Sequence, residues 1–246
     1  MANKILKYKD LNQGNILLRE NEELSLILTD VSGDLFFDLA PNSYLKLSLI
    51  VNQENNSHIN GIIKQNAKVD VYYVDFSPFN NKLVTDIHLK ESNSSINWRL
   101  ACLSKLESKK EFEVSIYHDA TATSSRIDNY GVCKDASKLV FSGICKIEEG
   151  SHQSKAHQTA KIMVFDDNAD AIAKPILKID DNEIEASHAA TVGKISDDEL
   201  FYLTSRGISI EHARELITYG YLKPIIAGFD DEEIASYLTQ EIEGSL

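Results

Sequence analysis

From about residue 15 to residue 195 the chain keeps a period of two, and that alternation limits its fold more than any other feature. "LSLILTD", "SYLKLSLIV", "KVDVYYVDF", "KLVTDIHL", "SINWRLACL" and "FEVSIYH" each alternate apolar with polar residues. Successive side chains on a strand point to opposite faces, so each segment reads as a strand with one face buried. Clusters of Asn, Asp, Ser or Gly bound every segment, and Pro41, Pro78 and Pro175 fit turns or strand starts. No helical period is sustained here, so the region is expected to be all-β. Its corners are rich in Asn and poor in Gly ("NQENNSHING", "PFNNK", "ESNSSIN"). Asn tolerates the left-handed backbone and can bond its neighbours along a stack, which fits a solenoid. A weak repeat agrees: Phe165-Asp166-Asp167-Asn168 recurs fourteen residues later as Ile179-Asp180-Asp181-Asn182.

At Ser196 the pattern changes. Ser196 with Glu199 forms a capping-box pattern, and Asp197 and Asp198 place negative charge at the positive end of a helix. Leu200, Phe201 and Leu203 give that helix an apolar face, and Arg206-Gly207 reads as its stop. Ser209 is expected to cap a second helix with Ala213, Leu216 and Ile217 inside, ending at Gly220, before Pro224 breaks the chain. Asp230 with Glu233 opens a third helix carrying Ile234, Leu238 and Ile242. The expected division is a β core over residues 1–195 and a helical subdomain over 196–246.

Charge and cysteine content narrow the function. The net charge is −13. Residues 180–246 hold 15 acidic and 4 basic side chains, a balance of −11, leaving −2 for the rest. Such an acidic quarter repels phosphate, so neither nucleic acid nor an anionic membrane is expected as a partner. Cys102, Cys133 and Cys145 are odd in number and widely spaced, which makes neither a disulfide framework nor a self-contained metal site. There is no apolar run of about 18 residues and no apolar segment before a cleavage site, so a cytoplasmic chain is expected.

No catalytic signature for phosphate binding, acyl transfer or zinc hydrolysis is present. Parallel β-helices can cleave polysaccharides with clustered acids, so Asp166/Asp167 and Asp180/Asp181 leave a stand-alone glycan-binding or glycan-cleaving solenoid as an alternative. These pairs fall at expected turns, however, and Trp98 is the one tryptophan able to stack on a sugar. His152 and His157, five apart, do not make a shared metal site on a strand. His188 differs from them, being set among Ala186, Ser187, Ala189 and Ala190, small neighbours that admit close approach by another chain.

The stretch "SHAATVGKISDDELFYLTSRGISIEHARELITYGYLKPII" closely resembles the C-terminal signature of the SufB/SufD family of iron–sulfur cluster assembly proteins. The resemblance is carried by Ser187, His188, Ala190, Thr191, Gly193, Ile195, Leu200, Phe201, Tyr202, Arg206, Gly207, Ile208 and Ala213, with Pro175 and Ile179 in register upstream. It covers about residues 151–226. The resemblance implies a right-handed parallel β-helix with a C-terminal helical subdomain. It further implies a SufB-like paralogue, or a second copy, as pairing partner, and a SufC-type ABC ATPase docked on the helices. The family's SufB branch carries a cysteine where this chain has Ala160 and a glutamate where it has Ala189. The chain therefore looks SufD-like, although many SufD sequences have cysteine at the position of Ala186, and the chain lacks most of the helical N-terminal region of longer members.

By the same resemblance the chain is expected to be a non-enzymatic scaffold that holds no cofactor stably by itself, with iron or an iron–sulfur cluster passing transiently through a partner interface. His188 would be one iron ligand there, or only a hydrogen-bonding group, with thiolates supplied by the partner. Ser187, His188 and Thr191 would lie in the paralogue interface, and Ile210, Leu216, Ile217 and Tyr221 would meet the ATPase or else pack on the β body. A self-sufficient SufB-like scaffold is the remaining alternative, and the three unpaired cysteines weigh against it.

Overall fold

The computed structural model describes residues 3–244. Fifteen strands wind into two facing parallel sheets. The odd strands form one sheet: β1 (Asn3–Lys7), β3 (Glu23–Thr29), β5 (Tyr44–Val51), β7 (Lys68–Asp75), β9 (Ser95–Ser104), β11 (Ser124–Cys133), β13 (Lys155–Val164) and β15 (Glu185–Lys194). The even strands form the other: β2 (Asn15–Leu18), β4 (Leu35–Leu39), β6 (Asn55–Ile63), β8 (Asn81–Leu89), β10 (Lys109–His118), β12 (Lys138–Ile147) and β14 (Asp170–Ile179). The chain thus alternates between sheets at every corner, which is a parallel β-solenoid. The expected mainly-β solenoid with a helical appendage is the observed fold.

Alternation explains the burial. Along β12 the residues are buried at every second position, and Leu139, Phe141, Cys145 and Ile147 point inward. Their counterparts one turn away stack on them: Phe112 pairs with Phe141, and their rings lie 5.8 Å apart. Tyr73, Trp98 and Phe112 fill the middle of the same column. The fourteen-residue repeat is half of one turn, since Phe165 and Ile179 each end a strand run on opposite sheets.

Asparagine holds one row of corners. Asn42, Asn66 and Asn93 all adopt φ near +60°. Asn66 Nδ2 donates to Asn42 Oδ1 (2.9 Å) and Asn93 Nδ2 donates to Asn66 Oδ1 (3.2 Å), a ladder along the stack. Pro175, expected at a turn or strand start, instead sits inside β14 opposite Gly143. It is tolerated because β14 is an edge strand.

Three helices follow: α1 (Asp197–Ser205), α2 (Ile210–Ile226) and α3 (Glu232–Glu243). Ser196 caps α1 by accepting from Glu199 N, and Ser209 caps α2 by accepting from His212 N. Two details differ from expectation. Helix α2 runs through Gly220 and Pro224 to Ile226, and the cap of α3 is Asp231, not Asp230. Leu222, Ile225 and Ile226 at the end of α2 are buried, and at about 1.5–3 kcal/mol each their burial outweighs the roughly 3 kcal/mol cost of an internal proline. Asp230 instead pairs with Lys46.

The helices lie on the outer face of the eight-stranded sheet, over Ile27, Ile50, Val74, Ala101, Leu103 and Val132. They reach from the last turn, where Ile195 is buried, back to the first turns, where Tyr237 Oη donates to Asn52 Oδ1 (3.1 Å). Gly228 is required at the crossing from α2 to α3, because a Cβ there would fall 1.8 Å from the Tyr72 ring. Among the described residues no helix is long and apolar enough to cross a membrane.

Candidate functional site

Both ends of the solenoid have strands paired on one side only, β1 and β2 at one and β14 and β15 at the other. Ile16 and Leu18 of β2 are buried, however, whereas the inward residues of β14 are not. At the N-terminal end Leu6, Tyr8 and Leu11 fold against the core. At the other end β14 and β15 are the outermost strands of their sheets, each paired on one side only. Inward-facing residues there lose their burial: Ala171, Ala173, Leu177 and Ala186 touch the core but remain partly open, and Ile179 and Val192 are exposed. An unpaired edge presents backbone N–H and C=O groups to any chain that can continue the sheet.

His188 sits in the middle of β15, paired in register with Gln158. Gln158 is buried in the core, and its Nε2 donates to the Ile176 carbonyl (3.0 Å). By the two-residue period His188 shares the inward face with Ala186, and it is exposed because no further turn covers it. Ser187 and Thr191 face outward. The Ser187 hydroxyl is 2.8 Å from His157 Nδ1, a contact that no local pattern reveals, since the two lie on neighbouring turns. Ala160 and Ala186 both point into the core beside this end.

Among the described residues no group of three or more His, Cys, Asp or Glu side chains could hold a metal ion. The three cysteines are buried and free. Burial pushes the Cys145 thiol up to about 11 and raises Cys102 and Cys133 as well, so none is a ready thiolate. On the inward face of β15, among the described residues, His188 is the one imidazole, and alone it does not complete a metal site.

One carboxylate of each acidic pair serves a corner, and Asp167 pairs with Lys194. Asp166 Oδ2 accepts from the Asp135 backbone N–H (2.7 Å). Asp181 accepts from the backbone N–H groups of Glu183 (2.9 Å) and Gly150 (3.1 Å), and lies 2.9 Å from His152. The Glu183 N–H, above all, holds its carboxyl below the usual range. Trp98 is fully buried and offers no face to a sugar.

A second surface lies on the helices. Met163, Asp198, Glu199, Tyr202, Leu203, Ile217, Gly220 and Tyr221 line a largely apolar groove between α1, α2 and β13. The four residues singled out on α2 divide. Ile210 and Leu216 are exposed, whereas Ile217 and Tyr221 pack against the outer-face cluster and floor the groove. Phe201, at 73% exposure, extends the apolar surface along α1.

The arrangement is that of a β-solenoid whose distinctive features are an open edge and an apolar helical face, both suited to contact with other chains. Comparison with known proteins agrees. A family model described as "SUF system FeS cluster assembly, SufBD core domain" matches residues 31–221. The chain belongs to the SufBD family. The iron–sulfur cluster assembly protein SufD of Bacillus subtilis (strain 168) is 36% identical over 137 residues, 56% of this chain and 31% of that protein. A SufBD family protein of Staphylococcus saprophyticus is 31% identical over 132 residues, 52% of this chain and 28% of its own length. The match therefore spans about a third of the length of these relatives.

Proposed function

We propose that this chain is a non-catalytic, SufD-like scaffold subunit of a SUF-type iron–sulfur cluster assembly complex, working in the cytoplasm. The observation that carries the reading is the uncapped end of the solenoid, where two unpaired edge strands frame His188. A SufB-like paralogue continues both sheets across β14 and β15, and Ser187, His188 and Thr191 lie in the contact. A parallel edge of this length exposes apolar inward residues that a like-built partner would cover, which favours a second solenoid over a loop or a peptide. Iron or a nascent cluster is cargo at this junction. His188 supplies one ligand and the partner supplies thiolates, because this chain's own thiols are buried and protonated.

The SufC-type ATPase docks on the helical face, with Ile210, Leu216 and Phe201 as exposed contacts. Ile217 and Tyr221 act from the groove floor. The glycan reading loses support, since one carboxylate of each pair, Asp166 and Asp181, is engaged by backbone N–H groups and the tryptophan is buried.

Affinity capture of the tagged chain from native lysate tests the reading. A SufC-type ATPase and a SufB-like chain are expected with the unaltered protein. The exposed pair Ile210→Asp and Leu216→Asp should lose the ATPase and keep the paralogue, and Thr191→Pro on the edge strand should do the reverse. Capture of neither partner by folded protein would contradict the proposal.

A further inference from the structure

One corner carries a large apolar side chain where its counterparts are polar. The left-handed corner residues include Asn42, Asn66, Asn93 and Asp135, whose side chains hydrogen-bond to the corner of a neighbouring turn. Between β9 and β10 the same role falls to Leu106, at φ +59°. Ala122 is the other apolar residue in this conformation among the described non-glycine residues, and it is small. A leucine has no polar relief, and this one is 59% exposed, so it gains little from burial either. The same angle recurs at corners along the whole stack, so the solenoid imposes it here, and what sets this corner apart is the exposed apolar side chain it displays.

Beside Leu106 stands a second exposed apolar side chain, Phe79 at 43%. It follows Pro78 in the loop between β7 and β8. That loop is held from beneath: Lys110 Nζ donates to the Ser77 carbonyl (2.7 Å), Asn81 Nδ2 donates to Asp75 Oδ2 (2.7 Å), and the Lys109 N–H donates to Asn80 Oδ1 (2.8 Å). Phe79, Pro78, Leu106 and Ala136 form the apolar part of a surface cleft. Its charged lining consists of Glu54, Glu107 and Asp135, with no lysine or arginine. Asp135 is fixed in place, its Oδ2 accepting from the Leu106 N–H (2.7 Å). The adjoining hollow shares Glu54 and is mixed, with Lys82 and Lys109 opposite Glu54 and Glu111, and Asp135 Oδ1 lies 3.7 Å from Lys134 Nζ at the cleft edge.

We propose that this cleft docks a short segment of a partner protein that carries an apolar side chain flanked by lysine or arginine. The apolar floor takes the anchor, and Glu54 and Glu107, with Asp135 shared with Lys134, select the flanking charges. The cleft shares no residue with the open end or with the helical groove, so the inference stands independently of the assembly reading.

The test is an NMR titration of the full, ¹⁵N-labelled chain with a synthetic peptide. The probe has a Leu-Phe centre with two lysines on each side, and the control replaces the lysines with glutamates. Shifts at the amides of Phe79, Leu106 and Ala136 are expected with the lysine peptide, with binding at least tenfold weaker for the glutamate peptide. Leu106→Asn should weaken binding at least tenfold while raising the unfolding midpoint, because Asn suits the left-handed corner. A leucine that is merely tolerated would give the rise in stability with no binding to lose. Equal binding of both peptides, no shifts up to millimolar peptide, or shifts that survive Leu106→Asn would overturn the proposal. Self-association abolished by Leu106→Asn would also overturn it, by making the occupant a second copy of this chain.

Discussion

Replacing Lys110 by alanine is expected to lower the unfolding free energy by about 3–5 kcal/mol, the range for removing one partner of a buried ion pair. Lys110 and Asp75 are both fully buried, with Nζ 2.7 Å from Asp75 Oδ1. The ammonium also donates to the carbonyls of Ser77 (2.7 Å) and Leu103 (3.2 Å), so all its protons find acceptors inside the solenoid. Alanine would leave the Asp75 carboxylate in the core with only the hydroxyl and N–H of Ser77 and the amide of Asn81 to neutralise it. Against a typical total of about 5–15 kcal/mol, that is a large share. Urea unfolding followed by far-UV circular dichroism checks it. The double variant Lys110→Met, Asp75→Asn should recover part of the loss, since no uncompensated charge remains. A single variant as stable as the parent would show that the pair is not buried as described.

The second large effect is on acid stability. His118 is buried, with Thr123 Oγ1 and Ser125 Oγ each 2.7 Å from its ring nitrogens. Burial lowers its pKa to about 4, outweighing the opposing charge of Asp119. The folded chain therefore keeps the ring neutral while the unfolded chain takes up a proton near the ordinary value of about 6.5. Stability is full above that value, falls as the pH drops from about 6.5 to about 4, and is unaffected by this group below. A displacement of that size corresponds to about 3 kcal/mol. Urea midpoints measured between pH 7.5 and pH 4.5 should fall steeply for the parent and less for His118→Gln. Parallel slopes would remove His118 as the cause.

Much of this architecture is written locally. Period-two alternation and Asn-rich corners are properties of short windows, and the strands inside the stack bury the face their pattern predicts. Strands β14 and β15 do not, and the odd strands under the helices bury both faces. The end of α2 was not legible, because Gly220 and Pro224 are local stop signals that the burial of Leu222, Ile225 and Ile226 on the outer sheet overrides. The Lys110–Asp75 pair was hidden for a different reason. The two lie 35 residues apart, and only the winding of the solenoid brings them together. His188 was visible through its small neighbours and its resemblance to a family signature. Its exposure was not, since that depends on the absence of a covering turn beyond β15. Leu106 carried no signal at all, because a leucine between polar residues looks ordinary until its backbone angle is known.

The proposed function stands or falls with the edge at β14 and β15 receiving a paralogous chain. Hydrogen–deuterium exchange is the decisive experiment, read peptide by peptide across residues 170–194 in the isolated chain and after addition of a SufB-like partner. Rapid exchange of the unpaired edge amides is predicted in the isolated chain, with marked slowing on addition of the partner, centred on the strand that carries His188. Exchange there that stays unchanged while the partner binds elsewhere would contradict it.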